Sequence, residues 1–190
     1  MKKAVMVFAA LAIALLAVLA YAGFFRKVSI EEGVSPKYTL VLKKSTGAYS
    51  QAGVVLEEVQ NYLKSIGVEP EFGVGIYLDD PRTVKKEDLR WVAGYVLPDS
   101  ARKKAGSIRK KYMVRDFKPG RAAMATFPHR NRLNLVAGIM KVYPALSAYA
   151  VRNKVPPCAI AEIYDMKGRQ IIYIMPLVKG WDAVKLYYGK

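Results

Sequence analysis

The chain is 190 residues long and carries 31 basic against 15 acidic side chains, a net charge of +16, with one cysteine and one histidine. A lone Cys158 excludes an internal disulfide and any multi-cysteine metal site, and a lone His129 excludes a multi-histidine zinc centre. Most hydrolytic constellations are thereby removed, and no metal or cofactor site can be read.

Residues 4–25 contain no charge; Lys2 and Lys3 precede them and Arg26 and Lys27 follow. As a helix this stretch reaches roughly 33 Å, enough to cross a hydrocarbon core, and in lipid only a helix satisfies its backbone. A cleaved secretory signal is the competing reading, because Ala20-Tyr21-Ala22 is a small-x-small site behind a positive start. The run outlasts the ~7–15 residues of a signal core and continues through Gly23, Phe24 and Phe25. The expected organisation is a transmembrane anchor (or uncleaved signal) at 1–27, a linker at 28–36 and one domain at 37–190. The protein would be single-pass, with the side of its domain undetermined. Two lysines precede the span while Arg26, Lys27, Lys37, Lys43 and Lys44 follow, against a signal-like start that points outward.

Beyond the linker, residues 38–42 alternate as a strand. Val54, Val55, Val59, Tyr62, Leu63 and Ile66 then recur at three- and four-residue steps, a helix capped at Gly67. Strands are predicted at 72–78 and 90–97, separated by the turn Asp79-Asp80-Pro81-Arg82. Arg102-Lys103-Lys104 and Arg109-Lys110-Lys111 flank Ala105-Gly106-Ser107 and read as an exposed basic loop. Its expected partner is anionic lipid rather than specific nucleic acid. Strands follow at 112–117 and 122–127, a helix at 131–153 with Pro144 inside it, and strands at 158–164 and 170–177. Each half therefore reads strand, helix, strand, strand. Two such repeats predict an α+β domain, its antiparallel sheet covered by two helices on one face.

Glu162 is the only charge within Cys158-Ala159-Ile160-Ala161-Glu162-Ile163-Tyr164. Alternation puts Ile160, Glu162 and Tyr164 on one side of that strand, read as the side away from the helices, with Ala161 and Ile163 on the other. A carboxylate among apolar neighbours is costly to ionise unless a cation or donor meets it. It is therefore a candidate for binding a cationic ligand, for acid–base work, or for plain pairing with a basic side chain. Tyr49, Tyr77, Tyr95, Tyr164, Tyr173 and Trp91 fall on or beside strands. They are candidate aromatic walls for a flat or cationic molecule, or ordinary core.

Three stretches resemble the GyrI-like effector-binding domain found in AraC- and MerR-type regulators. They are Gly47-Ala48-Tyr49; Gly75-Ile76-Tyr77-Leu78-Asp79-Asp80-Pro81 with Arg90 and Ala93-Gly94; and Ala161-Glu162-Ile163-Tyr164 before Met175-Pro176-Leu177. Within that family the sequence is most similar to the membrane-anchored, testis-expressed type of receptor for autophagy of the endoplasmic reticulum. The resemblance implies two strand–helix–strand–strand repeats around a cleft, with Glu162 as its acid and aromatic walls. No helix-turn-helix segment is read, and the acidic tail that carries the receptor type's partner motif has no counterpart. The expected function is binding of a small organic ligand, a cation in the narrower reading, by Glu162, Tyr49, Tyr77, Trp91, Tyr164 and Tyr173. A hydrolase acting on a strained or reactive small molecule through Glu162, or a membrane-tethered adaptor whose cleft is vestigial or filled by side chains, are the rivals.

Overall fold

The computed structural model describes residues 2–156, 158–177 and 187. Its elements are α1 (Lys2–Tyr21), β1 (Glu31–Val34), β2 (Tyr38–Thr46), α2 (Ala52–Ser65), β3 (Phe72–Tyr77) and β4 (Arg90–Val96). Then come α3 (Ala105–Ile108), β5 (Met113–Phe117), β6 (Arg121–Pro128), α4 (Arg132–Arg152), β7 (Ala161–Asp165) and β8 (Gln170–Pro176). All eight strands join one antiparallel sheet in the order β1-β6-β8-β7-β3-β4-β2-β5. The α+β class and its two repeats are as the sequence predicts: β2-α2-β3-β4 and β6-α4-β7-β8 meet at the central pair β3 and β7. β5 and β1 extend the two outer edges.

Cross-strand register shows where the helices sit. Val41, Tyr95, Gly73, Tyr164, Ile171 and Phe127 form one row across the sheet, so they share a face. α2 buries Val55, Val59 and Leu63 against that face at Trp91, Ala93 and Tyr95. α4 buries Ala137, Val142 and Leu146 against it at Phe127, Ile171 and Tyr173. The helices cover the two flanks and leave β3 and β7 between them. On the other face Leu40, Leu42, Val74, Ile76, Val92, Ala161, Ile163 and Ile174 form a second buried layer, joined by Tyr187.

Four readings need correction. Residues 28–36 are not a free linker, because β1 lies inside them and pairs with β6 from Glu31↔Met124 to Val34↔Arg121. Its Glu-Glu-Gly-Val sequence has no alternating apolar signal, and its partner alone makes it a strand. The 158–164 strand begins only at Ala161. The basic segment 102–111 is not an open loop but a 3-10 turn (Asp99–Lys104) running into α3, pinned by buried Ala101 and Ile108. Within it Lys104 donates to the carbonyls of Ile66 (2.5 Å) and Gly67 (3.0 Å), closing the C-terminus of α2. Arg102 meets Asp99, and Lys111 stands over the rings of Tyr62 and Tyr112. Half of the basic cluster is thus engaged inside the domain. The fourth correction concerns Glu162 and belongs to the site.

α1 is long and apolar enough to span a membrane, and none of its residues is buried by the domain. The segment after it does pack. Ala22 and Gly23 are buried, and Gly23 adopts φ +85° with a Cβ position only 3.2 Å from the ring of Phe127. That left-handed turn beneath an aromatic ring suits a residue without a side chain.

Candidate ligand-binding cleft

Glu162 lies on the helix side of the sheet, not on the opposite face. Its row runs Ala93, Gly75, Glu162, Tyr173, Ala125, and α4 reaches over it from one flank. Alternation correctly groups Ile160, Glu162 and Tyr164, but it carries no information about which face the helices choose.

Two glycines open the floor beside it. Gly73 and Gly75 are the β3 residues paired with Tyr164 and Glu162, and neither brings a side chain to the helix side. The space is taken by rings: a Cβ on Gly75 would stand 3.0 Å from the Tyr77 hydroxyl, and one on Gly73 3.3 Å from the Tyr164 ring. Uncovered by helix and cut low by glycine, the central strands form the bottom of an open cleft of about 1870 Å³. It runs between α2 and α4 and is bordered by the 79–82 turn. The cleft is roomy rather than filled by side chains.

At the bottom Glu162 is 2% exposed. Tyr143 of α4 donates to Oε1 at 2.7 Å and Tyr164 to Oε2 at 2.5 Å. With its proton committed to the carboxylate, the Tyr164 hydroxyl accepts from Tyr77 at 3.2 Å. Among the described residues Glu162 makes no ion pair. Burial pushes its carboxyl above the ordinary carboxylate range, and the Tyr164 and Tyr143 hydroxyls hold it back. Burial, followed by the charge of Glu162, raises the phenols of Tyr77, Tyr143, Tyr164 and Tyr173. These tyrosines stay protonated, and Tyr143 and Tyr164 donate to the carboxylate.

The other carboxylates along the cleft are differently placed. Asp79 is forked onto Arg90 (2.6 Å to Nη2) and accepts its backbone N–H at 2.7 Å, which holds it below the usual range. Asp80 is held near about 2 by Arg82, and Glu57 is exposed at the rim. Among the described residues, Glu57, Asp79, Asp80 and Glu162 border the cleft against only Arg82 and Arg132. In a chain with twice as many basic as acidic residues, that local reversal is not an average property of the surface.

Of the six residues singled out from sequence, Glu162, Tyr49, Tyr77 and Tyr164 line the cleft. Tyr49 leans on Tyr77 (centroids 4.7 Å, 58°), anchored by a hydroxyl that donates to the Asp79 carbonyl and accepts from its N–H. Trp91 and Tyr173 do not line it. Trp91 is 1% exposed under α2, its indole N–H given to the Gly47 carbonyl. Tyr173 is fully buried, edge-on to Tyr143, with its hydroxyl beneath Gly138 and without a hydrogen-bond partner among the described residues. Large aromatics on strands serve core and wall alike, so residue type could not separate them. Tyr143 was not singled out from sequence, because on a helix its ring reads as one more apolar-face residue. Sequence reasoning also missed His129, which borders the cleft 5.9 Å (centroid to centroid) from Tyr164. Burial lowers the His129 pKa, and its Nδ1 has no partner among the described residues. Cys158 borders the cleft with a thiol raised by burial, which suits packing better than attack.

No protein-family model and no curated protein matches the chain. Solved structures do. A cryo-EM structure of an EcmrR–DNA complex aligns with a TM-score of 0.54 at 10% identity, over 92% of this chain and 67% of that one. The crystal structure of the EcmrR C-terminal domain aligns with 0.53 at 11% identity, over 80% and 98%. A Listeria innocua hydrolase encoded by lin2189 gives 0.50 at 12% identity, over 79% and 92%. The fold is GyrI-like. At such identities the likeness concerns the fold alone.

Proposed function

We propose that the chain is a single-pass membrane protein whose cleft binds a small organic cation. Glu162 would supply the countercharge, while Tyr49, Tyr77 and Tyr164 supply the stacking surface. The observation that carries this reading is the buried Glu162 carboxyl, which faces an open cleft and has no ion pair among the described residues. Its two hydroxyl donors leave lone pairs free, so an arriving cation completes the site without displacing a protein partner. Cations are also drawn to tyrosine faces, where desolvation strengthens the attraction. The basic segment around 102–111 would add general attraction to anionic lipid through its exposed Lys103, Arg109 and Lys110. The autophagy-receptor likeness bears on the anchor-and-domain plan only, since the cleft itself carries no feature of that role.

Calorimetric titration of the full chain in detergent with tetraphenylphosphonium and its anionic isostere tetraphenylborate tests the reading. The cation binds and the anion does not. Glu162→Gln weakens the cation about 10- to 100-fold, the range of one charge-assisted contact. Affinity of the wild type rises with pH through the raised Glu162 pKa, with release of a proton. Equal cation affinity in the Gln variant overturns the assignment.

A hydrolytic reading uses the same carboxyl: with its proton retained by burial, Glu162 could act as general acid toward a strained substrate. Turnover by the purified protein, lost in Glu162→Gln, would favour it over binding alone.

A further inference from the structure

We propose that the cleft is filled from the lipid phase, through a mouth held against the bilayer by an exposed apolar stripe of α4. The inference rests on the membrane-anchor reading of α1 and on the cation-binding reading of the cleft.

Leu133, Val136, Ile139 and Met140 are between 44% and 60% exposed, an unusual concentration of bare apolar side chains on one helix. Spacings of three and four place Leu133, Val136 and Met140 along one outward stripe. Val136 and Ile139 also border the cleft, so the stripe and the cleft wall share an edge.

The chain fixes this stripe beside the anchor. Asn134, buried in the first turn of α4, donates from Nδ2 to the carbonyl of Tyr21, the last residue of α1 (3.2 Å). Its Oδ1 accepts the Arg130 N–H, so the side chain is held from both ends. About two turns later, Lys141 donates to the carbonyls of Phe24 and Arg26. With Ala22 and Gly23 buried under α4 and β6, the exit from α1 is bolted to α4. The stripe therefore begins within about one helix diameter, ~10 Å, of the point where the apolar helix ends.

The surroundings fit a lipid interface. Tyr21 and Phe25 are 68% and 65% exposed, aromatics at the depth where such rings collect. Arg26, Lys27, Arg130 and Arg132 are exposed around them, suited to anionic headgroups. An amphiphilic cation lies in a bilayer with its charge at the headgroups and its apolar part below. It would meet the Arg132, Val136 and Ile139 edge of the cleft directly and reach Glu162 along an apolar path. The substrate class thus narrows from organic cations to those that partition into membrane.

The test uses the full chain in phosphatidylcholine vesicles, with butyl- and octyltrimethylammonium as probes. Each added methylene raises bilayer concentration by about fourfold, so four raise it about 200-fold. Stopped-flow tyrosine fluorescence would show the association rate, per aqueous concentration, rising about tenfold or more from butyl to octyl. Leu133→Glu with Met140→Glu, both outside the cleft lining, brings the octyl rate down to the butyl rate. Separately, Met140→Trp is quenched by brominated acyl chains more strongly than Val151→Trp at the far end of α4. Equal rates for both probes, with both still bound, overturn lipid-phase entry and leave the cation site standing. An unquenched Met140→Trp in protein that floats with the vesicles does the same. Failure to float removes the anchor reading, and failure of either probe to bind removes the cleft reading; each takes this proposal with it.

Discussion

The two repeats each bring a carboxylate to the cleft, and the pair has opposite fates. In the first repeat Asp79 lies two residues beyond β3 and is met by Arg90 at the start of β4, with a fork of side-chain bonds and a backbone N–H. In the second, Glu162 is the second residue of β7, is more deeply buried, and among the described residues is met only by the hydroxyls of Tyr143 and Tyr164. One acid is held below its ordinary pKa and the other above it. The first is structural, because its countercharge is built in. The second has donors but no countercharge among the described residues, the feature on which the cation-binding proposal rests.

Replacing Arg90 by Met should break the comparison most severely. It leaves Asp79, whose side chain is 8% exposed, without its guanidinium. Stability should fall by about 3 kcal/mol in urea unfolding, with the protein recovering partly at pH below 3.8 as Asp79 is neutralised. Glu162→Gln should do the reverse. The raised carboxyl favours the folded state while protonated; that contribution is complete below the ordinary value of 4.5 and is lost as pH rises through the folded-state pKa. Thermal melts should therefore show the Gln variant gaining on wild type as pH increases above 4.5. A pH-independent difference between the two would contradict the burial account.

A smaller effect is expected for Tyr143→Phe, which removes one donor to Glu162. Stability should drop by about 1 kcal/mol at pH 4, where the carboxyl is protonated in both variants, and tetraphenylphosphonium affinity should fall at neutral pH as ionisation becomes harder. Gly75→Ala is the mildest probe. Its Cβ would press on the Tyr77 hydroxyl at 3.0 Å, and the ring can swing outward. A loss within about 1 kcal/mol is expected in the same titration, with the melting temperature little changed.

Much of this arrangement was legible in residue order. The strand and helix periods recover both repeats, and the isolation of Glu162 within an apolar strand singles it out. What periodicity could not supply is partnership. β1 is a strand only because β6 lies beside it, and Lys104 is a helix cap only because folding brings α2 to it. The face of Glu162 was misjudged for the same reason: alternation is a relation within one strand, whereas the position of α4 depends on contacts across the sheet. Tyr143 illustrates the limit in one residue. Its ring belongs to the apolar face of α4 and its hydroxyl to the site, and the sequence advertises only the ring.

The buried turn at Ala22 and Gly23 also sets an order of events. The small-x-small bond that a signal peptidase would seek is reachable in the nascent chain but not once β6 and α4 have closed over it. A peptidase specific for that bond would therefore have to act before the domain closes.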